Sequence, residues 1–217
     1  MARGIDTTGL GLLVSFEGGE GAGKSTQLAL AVERVRATGH ECLALREPGG
    51  TPFGEHLRAY LKSGAGPLSP EAELLAFAAA RAELVRAVIA PALERGAVVL
   101  TDRFADSTTV YQGAGRGLPA RLVNAANELA TGGLIPRLTV LLDATPGALL
   151  ARAAERDGTG GGGRFEDEAL EFHQRVRAGF ARLARREPER FLVTDALESV
   201  EKVHAQVWRR LSPLLRR

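Results

Sequence analysis

The stretch "GGEGAGKST", Gly18 to Thr26, follows "GLLVSFE" directly. Gly18, Gly23, Lys24 and Ser25 fit G-x-x-x-x-G-K-[ST], and the apolar run before them reads as the buried strand that this pattern requires. Gly18, Gly21 and Gly23 let the backbone curl until several N–H groups converge on a phosphate, and the helix that follows adds its positive end. A donor polyphosphate is therefore assigned to Gly18, Gly19, Glu20, Gly21, Ala22, Gly23, Lys24, Ser25 and Thr26. Lys24 reaches the terminal phosphates and Ser25 ligates a magnesium ion. Glu20 is unusual there, because a carboxylate inside such a loop repels the ligand unless something compensates. It accepts a hydroxyl from an acceptor sugar, binds magnesium through water, or simply faces solvent.

Two more polar, glycine-containing segments follow apolar strand patterns: "REPGGT", Arg46 to Thr51, and "TDRFADSTTVYQGAGRG", Thr101 to Gly117. In open parallel sheets ligands bind beyond the carboxyl ends of the strands, so all three segments converge on one crevice. Asp102 stands where a strand-end carboxylate helps hold magnesium, with Arg103 beside it for charge balance or phosphate contact; a strand-end ion pair is the alternative. Farther on, Leu74, Phe77, Leu84 and Val88 form an apolar helical stripe with Arg81 on the same face. A guanidinium on a buried stripe needs a partner. That partner is an internal carboxylate, or a ligand base stacked on Phe77 with its carbonyl edge turned to Arg81.

The elements that must position these residues alternate. Strand patterns occur at Leu12 to Phe16, Cys42 to Leu45, Val98 to Thr101, Leu138 to Leu142 and Phe191 to Val193. Helical patterns separate most of them, which predicts an α/β fold with a five-stranded parallel sheet covered by helices on both faces. The first helix is expected from Lys24 to about Thr38, with Gly39 as its stop. A longer one starts at Ser69-Pro70, with Glu71 and Glu73 favourable in its first turn, and ends near Arg95-Gly96. Later helices fit Pro119 to Ala130, Pro146 to Arg156, Glu166 to Arg186 and Leu197 to Leu211. The run "RDGTGGGGRFED" breaks the helical pattern, because Gly160 to Gly163 lose too much conformational entropy in a helix. It reads as an exposed linker or as a mobile lid at about 156–166 with Arg156 and Arg164 at its edges.

The 217 residues, 45% hydrophobic and 25% charged, suit one domain over 1–217 and are few for two. A formal charge of +2 demands no nucleic-acid partner. The single cysteine, Cys42, has no intrachain partner and fits a reducing cytoplasm. The apolar stretch near the N-terminus runs straight into the phosphate loop, which argues against a cleaved signal, and no segment approaches membrane-spanning length, so no membrane association is expected.

Taken together, "FEGGEGAGKST", "REPGGT", "FAAARAELV" and "DRFADSTTVYQGAGRG" with an arginine-bearing lid resemble the thymidylate kinase family, and the resemblance covers about Leu10 to Trp208. It implies a P-loop NTPase fold, transfer of the γ-phosphoryl of ATP to thymidine monophosphate with Mg2+, and a homodimer. By resemblance, Arg46, Glu47 and Pro48 line the monophosphate pocket and Arg58 reaches the acceptor phosphate. Phe77 stacks on thymine, Arg81 reads a thymine carbonyl, and Arg103 contacts phosphate. Tyr111 crowds the sugar 2′ position, with Ser107 and Gln112 beside it, and "TDALES" resembles a loop next to the donor adenine. The phosphate loop carries Glu20-Gly21 and no arginine, whereas the lid region offers Arg152, Arg156 and Arg164. Charge on the transferring phosphoryl must be neutralised from one side or the other, so this resembles the lid-arginine subclass, with Lys24, Glu20, Arg103, Arg156 and Arg164 as the catalytic set. The rivals are a kinase for another nucleotide or nucleoside, and a nucleotide-dependent switch that hydrolyses ATP slowly.

Overall fold

A computed structural model describes residues 11–62, 66, 68–157, 165 and 168–216. Five strands, β1 (Leu12–Gly18), β2 (Cys42–Arg46), β3 (Val98–Asp102), β4 (Leu138–Asp143) and β5 (Phe191–Asp195), form one parallel sheet in the order β2-β3-β1-β4-β5. Each extends one or two residues beyond its apolar run, because the polar residue at its carboxyl end still pairs before the chain turns. Phe16 stands opposite Asp102, and Glu17 opposite Leu141. The chain leaves β1 toward β2 and β3 on one side and reaches β4 and β5 on the other. The carboxyl end of central β1 is thus the switch point at which a crevice opens.

Helices cover both faces. On one, α1 (Lys24–Ala37) and α9 (Val200–Leu211) pack Leu28, Ala31, Val32, Val35, Val203 and Val207 against Val14, Phe16, Leu100 and Val140. On the other, Leu84, Ile89 and Leu93 meet Leu13 and Val99, while Val110, Tyr111, Phe172, Val176 and Phe180 pack beside Leu141 and Phe191. Cys42 lies buried at the start of edge strand β2, and burial pushes its thiol up to about 11. Among the described residues no helix is long and apolar enough to cross a membrane.

Most expected helices are present with shifted ends. The long one comprises α3 (Pro70–Leu84), a π-helical turn at Val85–Ile89 and α4 (Ala90–Glu94). Ser69 caps it by accepting from the Ala72 amide at 3.2 Å. Then come α6 (Ala120–Thr131) and α7 (Pro146–Asp157). The next, α8 (Leu170–Arg186), begins four residues later than the pattern suggests. Likewise α9 starts after Ser199, whose hydroxyl accepts from the Lys202 amide at 3.3 Å and fixes the start that Leu197 does not.

Two helices carried no sequence signal. One is α2 (Pro52–Lys62); the other is α5 (Ala105–Thr108), which runs into a π-helical stretch, Thr109–Gly115. The second lies in a segment read as a polar strand-end loop, Thr101 to Gly117, and α2 begins directly after the other, Arg46 to Thr51. In the stretch 105–115, threonine, glycine and aspartate have low helix propensity, and tertiary packing overrides it. Gly160 to Gly163 and Arg164, the centre of the expected lid, lie outside the described residues.

Candidate active site

The phosphate loop turns between β1 and α1 as its glycines require. Gly21 has φ +73°, and a Cβ there would lie 2.2 Å from the Leu149 carbonyl oxygen. No side chain fits. Gly23 caps α1 at φ +87°, which opens the first amides of α1 toward the crevice. Lys24 is buried, donating from Nζ to Gly19 O at 2.8 Å and to Gly18 O at 3.2 Å. Burial first and the Arg103 charge second push its ammonium below the ordinary value, against the pull of Glu20, Asp102 and Glu17. The negative charge of an incoming polyphosphate would oppose both effects. Ser25, exposed at the next position, donates from Oγ to Asp102 Oδ2 at 2.7 Å.

Arg103 follows Asp102 with φ +74°, among the described residues the one non-glycine in the left-handed region. That conformation costs on the order of 1 kcal/mol. It is held by Arg103 N donating to Phe16 O at 3.0 Å and by Thr101 Oγ1 donating to Arg103 O at 2.9 Å. The guanidinium pairs with Glu20, donates from Nη1 to Gly18 O at 3.2 Å and to Ser107 Oγ at 3.1 Å, and lies 4.9 Å from the Tyr111 ring centre. Burial alone would lower its pKa; the neighbouring charges, Glu20 foremost, outweigh that and raise it. Arg103 is therefore the cation that compensates the carboxylate inside the phosphate loop.

Beyond Arg103 a cavity of about 160 Å3 opens, lined by Glu20, Glu47, Pro48, Arg58, Leu61, Phe77, Arg81, Arg103, Ser107, Thr108, Tyr111, Gln112 and Phe165. Its volume suits one planar base, since a cavity of about 150 Å3 already admits an aromatic ring. Ten of these residues are ones that the sequence assigns to the site. Arg46 is the exception among the acceptor residues: its side chain is 56% exposed and pairs with Glu55 outside this lining.

Of the two alternatives for Arg81, the internal carboxylate is present. It is 2% exposed, and Nε donates to Glu47 Oε2 at 2.7 Å. Nη1 donates to Thr108 Oγ1 at 2.9 Å and Asn127 Oδ1 at 3.1 Å, and Nη2 to Phe104 O at 3.2 Å. An internal carboxylate is its partner, yet it still lines the cavity. Burial raises the Glu47 carboxyl, with Arg81 pulling against it. Arg58 donates from Nη1 to Pro48 O at 3.1 Å, bracing the segment that follows β2.

Several contributors escaped sequence reasoning. Leu61, Thr108 and Phe165 line the cavity; the Phe165 ring centre lies 5.0 Å from that of Tyr111 and 6.0 Å from that of Phe77. Glu73, expected only as a favourable first-turn carboxylate, is instead fully buried and accepts from Gln112 Nε2 at 2.9 Å and from Arg116 Nε and Nη2 at 3.0 Å. No local pattern foretells a contact spanning 39 residues. Arg152 donates to Ala196 O at 2.5 Å, which ties α7 to the "TDALES" loop. Arg156 is on α7, with its side chain outside the described residues, as is Arg164 entirely.

A phosphate-binding turn after the central strand, with a base-sized cavity beside it at the same sheet rim, defines a nucleotide phosphotransferase of the P-loop NTPase fold. A family model described as Thymidylate kinase matches residues 16–207. The chain belongs to the thymidylate kinase family, whose reaction is phosphorylation of thymidine monophosphate with ATP as donor. Among its relatives, the thymidylate kinase of Synechococcus sp. (strain JA-2-3B'a(2-13)) is 52% identical over 94% of this chain and 96% of its own. That of Deinococcus radiodurans is 50% identical over 93% of this chain and 97% of its own. The crystal structure of thymidylate kinase from Ehrlichia chaffeensis superposes with a TM-score of 0.76 at 32% identity, covering 93% of this chain and 98% of that one.

Proposed function

We propose that the chain transfers the γ-phosphoryl of ATP to thymidine 5′-monophosphate by direct in-line displacement, with the phosphate loop holding the donor and the 160 Å3 cavity holding the acceptor. The observation that carries this reading is the carbonyl of Gly18, which accepts from Lys24 Nζ and from Arg103 Nη1, each at 3.2 Å. One backbone atom joins the two sites. The two nucleotides then meet head to tail, and positioning with electrostatics supplies the rate without a covalent intermediate.

In this mechanism the loop amides and Lys24 orient the donor phosphates, and Arg103 and Arg58 hold the acceptor phosphate. Phe77 offers its ring to thymine, Arg81 and Gln112 border the base edge, and Tyr111 closes the sugar side. The hard oxygens of Ser25 and Asp102, set together at 2.7 Å at the exposed loop rim, fit Mg2+, which takes one or two protein oxygens together with phosphates and water. When bound, that ion neutralises charge on the donor phosphates. Arg152, Arg156 and Arg164 are the candidates to neutralise the transferring group from the lid side, since no arginine stands in the loop.

An unburied apolar face supports a homodimer: Leu75 on α3 and Leu122 and Leu129 on α6 are exposed, and the two helices pack together. Leu122 and Leu129 are seven residues apart and share one helix face. The lone buried thiol supports a reducing cytoplasm. The deciding experiment is a panel of nucleoside monophosphates with ATP and magnesium, followed by product analysis. Thymidine diphosphate is the expected product. Preference for a guanine or cytosine acceptor would refute the thymine assignment, and ADP release independent of any acceptor would point to a switch.

A further inference from the structure

One fully buried carboxylate beside the site has no part in the mechanism above. Glu17 is the penultimate residue of β1, with no exposed surface, and it faces α5. Its Oε1 accepts from the Phe104 amide at 2.8 Å and its Oε2 from Ser107 Oγ at 2.5 Å. These two donors lie just after the left-handed turn at Arg103. Ser107 Oγ, having given its proton to Glu17, accepts from Arg103 Nη1 at 3.1 Å. A relay results, from the Glu17 carboxyl to the Ser107 hydroxyl to the Arg103 guanidinium.

We propose that Glu17 is a positioning residue for phosphoryl transfer, holding the Arg103 turn through the Phe104 amide and aiming the guanidinium through Ser107. The inference rests on the reading that Arg103 contacts phosphate. Its physical basis is that the turn's other ties, from Arg103 N to Phe16 O and from Thr101 Oγ1 to Arg103 O, reach neither the Phe104 amide nor the guanidinium. A left-handed arginine relaxes toward ordinary φ when its ties are cut, and α5 begins at Phe104 without a side-chain cap from its own sequence. Glu17 supplies the acceptors from a neighbouring strand. The setting also favours keeping a carboxyl group here: an apolar side chain would leave the Phe104 amide and the Ser107 hydroxyl buried and unpaired.

The test compares Glu17→Gln, Ser107→Ala, Arg103→Ala and the double variant Glu17→Gln/Arg103→Ala, with kcat and both KM values measured in the ATP/thymidine monophosphate assay. Glu17→Gln keeps the volume but replaces one acceptor with a donor. Its kcat is expected to fall about 100-fold, the scale on which a displacement of about 1 Å acts, while the ATP KM stays within about twofold. The double variant should be no slower than Arg103→Ala alone, because both changes remove the same contact. Ser107→Ala cuts the relay while leaving the Glu17 side chain and its bond from the Phe104 amide in place and should lower kcat in the same direction, which keeps the test open if Glu17→Gln folds poorly. Normal kcat in Glu17→Gln with a crippled Arg103→Ala would overturn the role of Glu17 and leave that of Arg103 standing. Losses that multiply in the double variant would do the same. Near-normal turnover in Arg103→Ala would sink the phosphate-contact reading, and this inference with it.

Discussion

Removing the Arg81 guanidinium offers a sharp test of how the acceptor pocket is held. In Arg81→Ala the Glu47 carboxyl, otherwise 2.7 Å from Nε, stays buried without its cation. Breaking a buried pair in this way costs about 3–5 kcal/mol if the charge remains. The carboxyl has an escape: it can bind a proton. From its ordinary value of 4.5, protonation at pH 7 costs about 3 kcal/mol, which caps the electrostatic part of the loss. Because removing Arg81 raises the folded-state pKa beyond its already raised wild-type position while the unfolded one stays put, the added stability loss is absent below that wild-type position and grows by up to about 1.4 kcal/mol per pH unit above it. Lost bonds to Thr108, Asn127 and Phe104 O add a pH-independent part. Urea denaturation of both proteins at about pH 5 and pH 7.5 should show a destabilisation larger at the higher pH by up to about 3 kcal/mol. Adding Glu47→Gln should abolish most of that pH dependence. The acceptor KM should rise by about tenfold or more, with the ATP KM little changed, and it should stay high in the double variant. A penalty independent of pH, or equal rises in both KM values, would refute the reasoning.

Lys24→Ala should lower kcat by at least about 100-fold in a coupled ADP assay while the circular dichroism spectrum is retained, because Lys24 bonds only to its own loop carbonyls; near-normal turnover would remove it from the donor site. Phe77→Ala should weaken thymidine monophosphate binding by about 1–3 kcal/mol in titration calorimetry, and an unchanged affinity would mean that the base lies elsewhere. The Glu17 carboxyl is pushed up to about 8, by burial first and by Asp106 second. Its folded pKa exceeds the unfolded one, so stability should be highest below pH 4.5 and should fall, by on the order of 1 kcal/mol per unit, as pH rises to about 8. Glu17→Gln should flatten that slope in denaturation series, and an unaltered slope would refute the assignment.

What could be read from the sequence was whatever depends on spacing along the chain. The phosphate loop, the five strands and the stripe through Phe77 and Arg81 are local patterns, and the parallel sheet then brings their strand ends together without further information. The site's inner bracing could not be read that way. Glu47 meets Arg81 across 34 residues and Glu17 meets Ser107 across 90, distances over which periodicity says nothing. The helix at 105–115 was hidden for another reason: its threonines and glycines oppose helix locally, and its burial between β1, β4 and α8 outweighs them. Arg81 is anchored from behind by Glu47 and also forms part of the cavity wall, a combination that helix geometry alone does not foretell.

The solitary thiol of Cys42 gives the protein a built-in reporter. It sits on edge strand β2, shortly before Glu47 and Pro48 of the cavity wall, and burial keeps it in the unreactive protonated form. Alkylation therefore has to wait until that edge peels away from β3, and the labelling rate counts those openings one molecule at a time. A nucleotide seated against Glu47 and Pro48 would clamp the peeling edge and slow the label, with no probe added to the chain.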